Sequence, residues 1–363
     1  MDQRFPRRHV LVAAFLTTMG IVVSGCGETP GPTPTESITA PAMRANQIIK
    51  LSSTIPALKD SKTVVAGLGS RLQLLGTAAP QLVSTDNGDN QAAPGQRLIV
   101  AQVSLDGKFC STEQPASERS SVCGAVAVLA DGSRTVFDPD ALDRGENTFA
   151  MSVPKGAKDV SLELSTGALK QQVSLVSGEL VGPAPAVLYR PDAKSESGST
   201  SVTTNVVERL SFPFALYDES GRLDFDGDYP TIVDVSKARL SYAIEKPDRE
   251  MLLPSAVDRA FLTLDTKVSG GNTWRTVLDP KSFVVTTADG KSIPAERFDA
   301  DSLRDGDIDH EHQFIGGDLY WEVPGDLKDA TVTITAGKNH QMGMLKSRVL
   351  DYRGATRSFP VRF

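Results

Sequence analysis

Apolar and polar residues alternate with a period of two along much of this chain. Val160, Leu162 and Leu164 alternate with Ser161, Glu163 and Ser165, and Val332 and Ile334 alternate with threonines. Alternation of this kind sends successive side chains to opposite faces of a strand, one inward and one to water. Ala130-Asp131-Gly132 and Ala288-Asp289-Gly290 interrupt the pattern with the residues that tight turns between strands require. Long helical periodicity is scarce. Residues 42–58 are the exception, where Ile48, Ile49 and Leu51 fit one face of a short helix. Strands this short, with turn signals between them, predict an all-β chain built as sandwiches, and Ser358-Phe359-Pro360-Val361-Arg362-Phe363 reads as a closing edge strand.

The pattern occurs twice. Ala130-Asp131-Gly132 is followed by Phe137-Asp138-Pro139-Asp140-Ala141-Leu142 and then Gly145-Glu146; Ala288-Asp289-Gly290 is followed by Phe298-Asp299-Ala300-Asp301-Ser302-Leu303 and then Gly306-Asp307. Val153-Pro154 precedes one alternating strand and Val323-Pro324 the other, with Gly167 and Gly337 closing them at equal spacing. Upstream, residues 98–105 match residues 261–268. Leu162 is thereby paired with Val332, and Phe137 with Phe298. These copies place a first domain at 60–190 and a second at 205–363. Between them, residues 191–204 are rich in Ser, Thr and Gly and read as a linker.

The first 59 residues read differently. Arg4, Arg7 and Arg8 precede a mostly apolar stretch from Val10 to Val23, and Val23-Ser24-Gly25-Cys26 follows. Small residues directly before a cysteine resemble the lipobox of bacterial lipoproteins, which implies diacylglycerol on the Cys26 thiol after cleavage of residues 1–25. The apolar stretch falls short of the ~20 residues that a membrane span needs. Arg7-Arg8 resembles a twin-arginine signal, and the export route stays open. Pro30, Pro32, Pro34 and Pro41 then stiffen a Thr-rich segment, so 26–59 reads as lipidated cysteine and tether.

Composition narrows the partners. The formal charge of the 363-residue chain is −7, and removing three Arg and one Asp with the leader takes it to −9. No basic patch dominates, which argues against nucleic acid. Of three cysteines, lipidation takes Cys26, leaving Cys110 and Cys123 to pair in an oxidising exterior.

Candidate chemistry is sparse. There is no Gly-x-Ser-x-Gly elbow and no phosphate-cradling glycine loop, so the chain is expected not to be an enzyme. Asp224, Asp226 and Asp228 start like a calcium loop, but the twelfth position, where an EF-hand needs glutamate, is Val235. Asp305, Asp307, Asp309 and Glu311 crowd around His310 and His312 in an insertion nine residues longer than its counterpart. Downstream stand His340, Met342 and Met344; imidazole and thioether together suit copper outside the cell. The bland alternatives are a solvated acidic turn, a packed edge and ordinary core methionines.

Taken together, the lipobox, the Pro/Thr tether, the Ala-Asp-Gly hairpins, the Phe-Asp turns and the Val-Pro steps resemble surface lipoproteins of Gram-positive, actinobacterial-type cells with duplicated telokin-like, immunoglobulin-like β-sandwich domains. The resemblance implies two tandem immunoglobulin-like sandwiches held at the outer face of the cytoplasmic membrane. It also implies a non-catalytic binding or scaffold role toward a protein or cell-envelope partner, without a cofactor. The second reading is a metal-handling lipoprotein, taking calcium, copper or zinc on the acidic and histidine residues of the second domain.

Overall fold

The computed structural model describes residues 40–52, 58–110, 123–138, 142–196, 199–226, 230–245, 251–270, 280–297, 319–340 and 349–363. Those residues are all-β. Among them, helical structure is confined to 3-10 turns at Ala186–Tyr189 and Pro280–Ser282. The first half holds β1 (Ile48–Lys50), β2 (Lys59–Asp60), β3 (Val64–Ala66), β4 (Ser70–Ala78), β5 (Leu82–Thr85), β6 (Gly88–Gln91), β7 (Gln96–Gly107), β8 (Gly124–Ala130), β9 (Ser133–Val136), β10 (Gly145–Pro154), β11 (Val160–Thr166), β12 (Leu169–Ser174) and β13 (Leu180–Val181). The second half holds β14 (Lys194–Glu196), β15 (Ser199–Phe212), β16 (Ala215–Tyr217), β17 (Leu223–Asp226), β18 (Thr231–Ser241), β19 (Ile244–Glu245), β20 (Met251–Leu252), β21 (Arg259–Gly270), β22 (Phe283–Thr287), β23 (Ser292–Pro294), β24 (Glu296–Arg297), β25 (Leu319–Pro324), β26 (Asp329–His340) and β27 (Val349–Arg362).

Each half pairs two antiparallel sheets. In the first, the order β1-β10-β7-β4-β2, with β3 also on β4, faces β13-β12-β11-β8-β9. In the second, β24-β25-β21-β18-β15-β14 faces β17-β16-β27-β26-β22-β23. One apolar core joins the sheets of the first half: Leu72, Val103, Phe149 and Met151 come from one, and Val126, Leu162 and Val173 from the other. Each such side chain contributes roughly 1.5–3 kcal/mol by leaving water.

The halves repeat each other register by register. Val153 pairs with Arg97 and Val323 with Ala260; Leu162 pairs with Val128 and Val332 with Val285. A β-bulge falls at the same place in both, between Leu74 and Gly76 opposite Val103 and Gln102, and between Val235 and Lys237 opposite Thr266 and Asp265. The first Asp-Gly turn is a two-residue hairpin with Asp131 and Gly132 both at positive φ, whereas Ala288-Asp289-Gly290 makes a longer loop. That extra residue moves the later alignment. Phe137 donates its N–H to Val126, and the equivalent bond runs from Ala295 to Phe283. Ala295, not Phe298, therefore stands in the place of Phe137, and Phe298 lies outside the described residues. The aromatic ring changes strand in the swap: Phe137 beside Val126 becomes Ala295 beside a buried Phe283.

Other expectations need correction. Residues 48–50 are not helical but form β1, an edge strand on β10. Residues 40–52, expected within the tether, are packed instead: Met43 and Leu51 are buried with Leu98, Val100 and Ala150, forming a third layer over the outer face of the first sheet. The expected linker is not open loop either. Lys194–Glu196 and Ser199–Phe212 are paired strands, because a Ser/Thr-rich run with Val202 buried suits a half-covered strand. Nor does the outer face of β11 meet water throughout. Glu163 is 3% exposed, accepting hydrogen bonds from Arg134 Nε at 3.0 Å and Gln172 Nε2 at 3.2 Å. Its cross-strand neighbour Ala127 is small enough to let Arg134 reach over it.

The halves share a core. Ala66, Leu68 and Leu169 of the first are buried together with Val187, Leu188 and the apolar residues of the second.

Candidate binding groove

The acidic turn of the second half already has its counter-charge. Asp226, on β17, accepts from Arg353 Nη2 at 2.7 Å, and this bond holds the Arg353 guanidinium above its usual pKa. Arg353 is locked in place: it has φ 54° and its N–H donates to Asp351 Oδ1 at 2.8 Å. Asp218, nearby in sequence, spends its carboxylate on its own turn. The Ser220 hydroxyl and the backbone N–H groups of Arg222 and Ser220 lower its pKa. Asp224 lies on the same strand, while Asp228 lies outside the described residues. Among the described residues no three His, Cys, Asp or Glu side chains gather as a metal-binding group.

Cys26, Asp305, Asp307, Asp309, Glu311, His310, His312 and Met342 also lie outside the described residues. The backbone of His340 pairs with Val349 at the end of β26, and its side chain lies outside them. Cys110 and Cys123 sit at disulfide distance, with Cα atoms 5.7 Å apart. They join the end of β7 to the start of β8, which belong to opposite sheets, so the link crosses the core's end instead of closing a hairpin. Among the described residues no helix is long and apolar enough to cross a membrane.

Among the described residues, the first half carries a groove of about 530 Å³ at one end of its two sheets. Thr77, Ile99, Leu175 and Val176 line it, together with Lys59 of the edge strand β2. Arg97, near the start of β7, lines it too. Its Nη2 donates to the Ala157 carbonyl at 2.9 Å. Its Nε is buried with no hydrogen-bond partner among the described residues. A buried guanidinium N–H left unpaired costs on the order of 1–3 kcal/mol, more than a neutral donor would. Val176, 51% exposed, puts a large apolar side chain on the rim. The groove thus combines apolar walls with two cations, within a chain that is acidic overall.

The same place in the second half is filled. By the paired registers, Thr77 corresponds to Ala238, Arg97 to Ala260, Ile99 to Leu262 and Leu175 to Val361. All four counterparts are fully buried, in one cluster with Val187 and Leu188 of the 3-10 turn Ala186–Tyr189, which packs on β15 and β18. Arg190, just after that turn, donates Nη1 to the Leu327 carbonyl at 2.6 Å. Leu327 is the counterpart of Ala157. The adjoining backbone bond is also matched, Gly325 N–H to Asp258 at 2.7 Å against Lys155 N–H to Gly95 at 3.0 Å. The chain therefore plugs this end of its second half with its own junction segment, and Arg97 in the first half does the work of Arg190.

Arg97 and Lys59 were not among the residues singled out from sequence. The only trace is that the repeat sets a charged Arg97 against a buried Ala260, which is visible once residues 98–105 are laid on residues 261–268. Comparison with family models, with curated proteins and with solved structures gives no match.

Proposed function

We propose that this chain is a lipid-anchored extracytoplasmic lipoprotein whose two halves are β-sandwich domains forming a non-catalytic binding module at the outer face of the cytoplasmic membrane. The observation that carries the binding role is the open, cation-lined groove of the first half, whose internal counterpart is plugged. Open apolar concavities with a few convergent polar groups are the usual form of ligand sites. The anchoring role rests on Val23-Ser24-Gly25-Cys26 and on the Pro/Thr-rich segment after it. Thirteen residues lie between Cys26 and Ala40, a reach of roughly 45 Å when fully extended.

The immunoglobulin-like character extends to two antiparallel sheets facing each other over one core. It does not extend to strand order. Lettering the eight strand positions shared by both halves A to H in chain order puts A-B-C-F in one sheet and E-D-G-H in the other. The immunoglobulin constant arrangement is A-B-E-D against C-F-G.

The anchoring reading is tested by Cys26→Ala in cells. The variant should stay uncleaved or leave the membrane fraction, and mass spectrometry of the wild type should find diacylglycerol on Cys26. Normal processing and membrane retention of the variant would exclude it.

A further inference from the structure

We infer that the groove of the first half holds an extended apolar peptide segment of a partner protein, bearing a carboxylate that meets Arg97 and Lys59. This rests on the reading of the chain as a binding module and adds the chemistry of what is bound. Internal equivalence is the main argument. In the second half the same surface is covered by Val187 and Leu188, a short peptide segment with an apolar pair at its centre, and its end carbonyl, Leu327, is met by Arg190. In the first half the walls are present and the guanidinium is already supplied from β7. An occupant therefore needs to bring apolar side chains and no cation.

The charges point the same way. Arg97 and Lys59 both line the groove, so two cationic side chains border it. The turn that offers the Ala157 carbonyl carries the exposed Lys155 and Lys158 against a single acid, Asp159. A carboxylate in the groove gives these two cations an acceptor, and charge-assisted bonds of this kind are about twice as strong as neutral ones. The chain's own described N-terminal segment is not the occupant. Met43, Ile49 and Leu51 are seated on the outer face of the first sheet, over Leu98, Val100 and Ala150. Val176 at 51% exposure is an apolar side chain that such an occupant would cover.

The test uses the full chain and a dye-labelled peptide with the sequence of residues 184–189, Ala-Pro-Ala-Val-Leu-Tyr, ending in a free carboxylate. The second half's counterpart is already filled by these residues, so binding reports on the first half. Saturable binding is expected by fluorescence polarisation. Amidating the peptide's C-terminus should weaken it about fivefold, as should Lys59→Glu. Val176→Asp, on the exposed rim, should weaken it about tenfold with an unchanged melting temperature. No saturable binding up to about 1 mM, a weak limit for recognition, overturns the inference. So does binding that Val176→Asp leaves untouched. Acid and amide forms binding alike would overturn the carboxylate contact with Arg97 and Lys59. None of these readouts involves membrane attachment, so their failure and that of the lipid anchor are separable.

Discussion

Tyr320 shows how one side chain on the second half's outer sheet face couples packing to charge. Its ring meets Phe261 edge-on, with centroids 5.4 Å apart. Burial, then a hydrogen bond with Glu296, then the charges of Glu296 and Glu322 push its pKa up to about 12 from an ordinary 10.0. The folded protein thus holds the phenolic proton more tightly than the unfolded chain does. The associated stability is fully present below pH 10.0 and is lost as pH rises through about 12. Urea midpoints should accordingly fall over that window, and Tyr320→Phe should flatten part of the fall. Tyr189 and Tyr242, raised chiefly by burial, keep the remainder. Alkaline limbs that superpose for wild type and Tyr320→Phe would contradict this account.

At the level of elements, the two halves solve one edge problem differently. The strand slot beside β10 is taken by β1, delivered from the N-terminal segment, and the matching slot beside β25 is taken by β24, delivered by the chain just after β23. Lys50 pairs with Phe149 where Arg297 pairs with Leu319, so the two edge strands are register equivalents. An unpaired edge invites association with other strands, and in both halves a short strand covers the long one and becomes the edge itself. The N-terminal strand also brings Met43 onto Leu98 and Val100. Met43→Ala should therefore cost about 2 kcal/mol through lost burial and a partly collapsed cavity. Chemical denaturation with an unchanged m-value would show it. A loss within error would mean that the third layer adds little to the fold.

Over the whole molecule, the junction is a packed interface. Thr200 N–H donates to the Leu68 carbonyl at 2.6 Å. The Tyr189 hydroxyl accepts from Ala66 N–H at 3.2 Å and donates to Gln171 Oε1 at 3.3 Å. Leu68 and Leu169 are buried in the second half's core cluster. Halves joined by shared core residues should unfold together, in one calorimetric transition with matching calorimetric and van't Hoff enthalpies. Leu68→Ala should lower that single transition, by about 2–5 kcal/mol in stability. Two separate transitions in the wild-type protein would show that the shared cluster does not couple them.

Strand character, Asp-Gly turns and the internal repeat were legible in the sequence alone, because they follow from dihedral preferences and side-chain alternation within a few residues. Leu162 against Val332 and residues 98–105 against 261–268 could be aligned by eye for that reason. Local pattern misread Ile48, Ile49 and Leu51, since three apolar residues fit a helix face as well as a strand whose partner, β10, lies about a hundred residues away. It misread residues 194–204 because Ser and Thr serve loops and covered strands alike, and it could not foresee that a one-residue longer turn would put Ala295 in the place of Phe137. The groove was the least legible part. Lys59, Arg97 and Val176 come from two separate strands and a turn, and nothing in their spacing says that they meet. Their meaning depends on Val187, Leu188 and Arg190 covering one end of the second half while the equivalent end of the first remains open. That difference is a property of which surfaces long-range packing covers, and only the tertiary structure decides it.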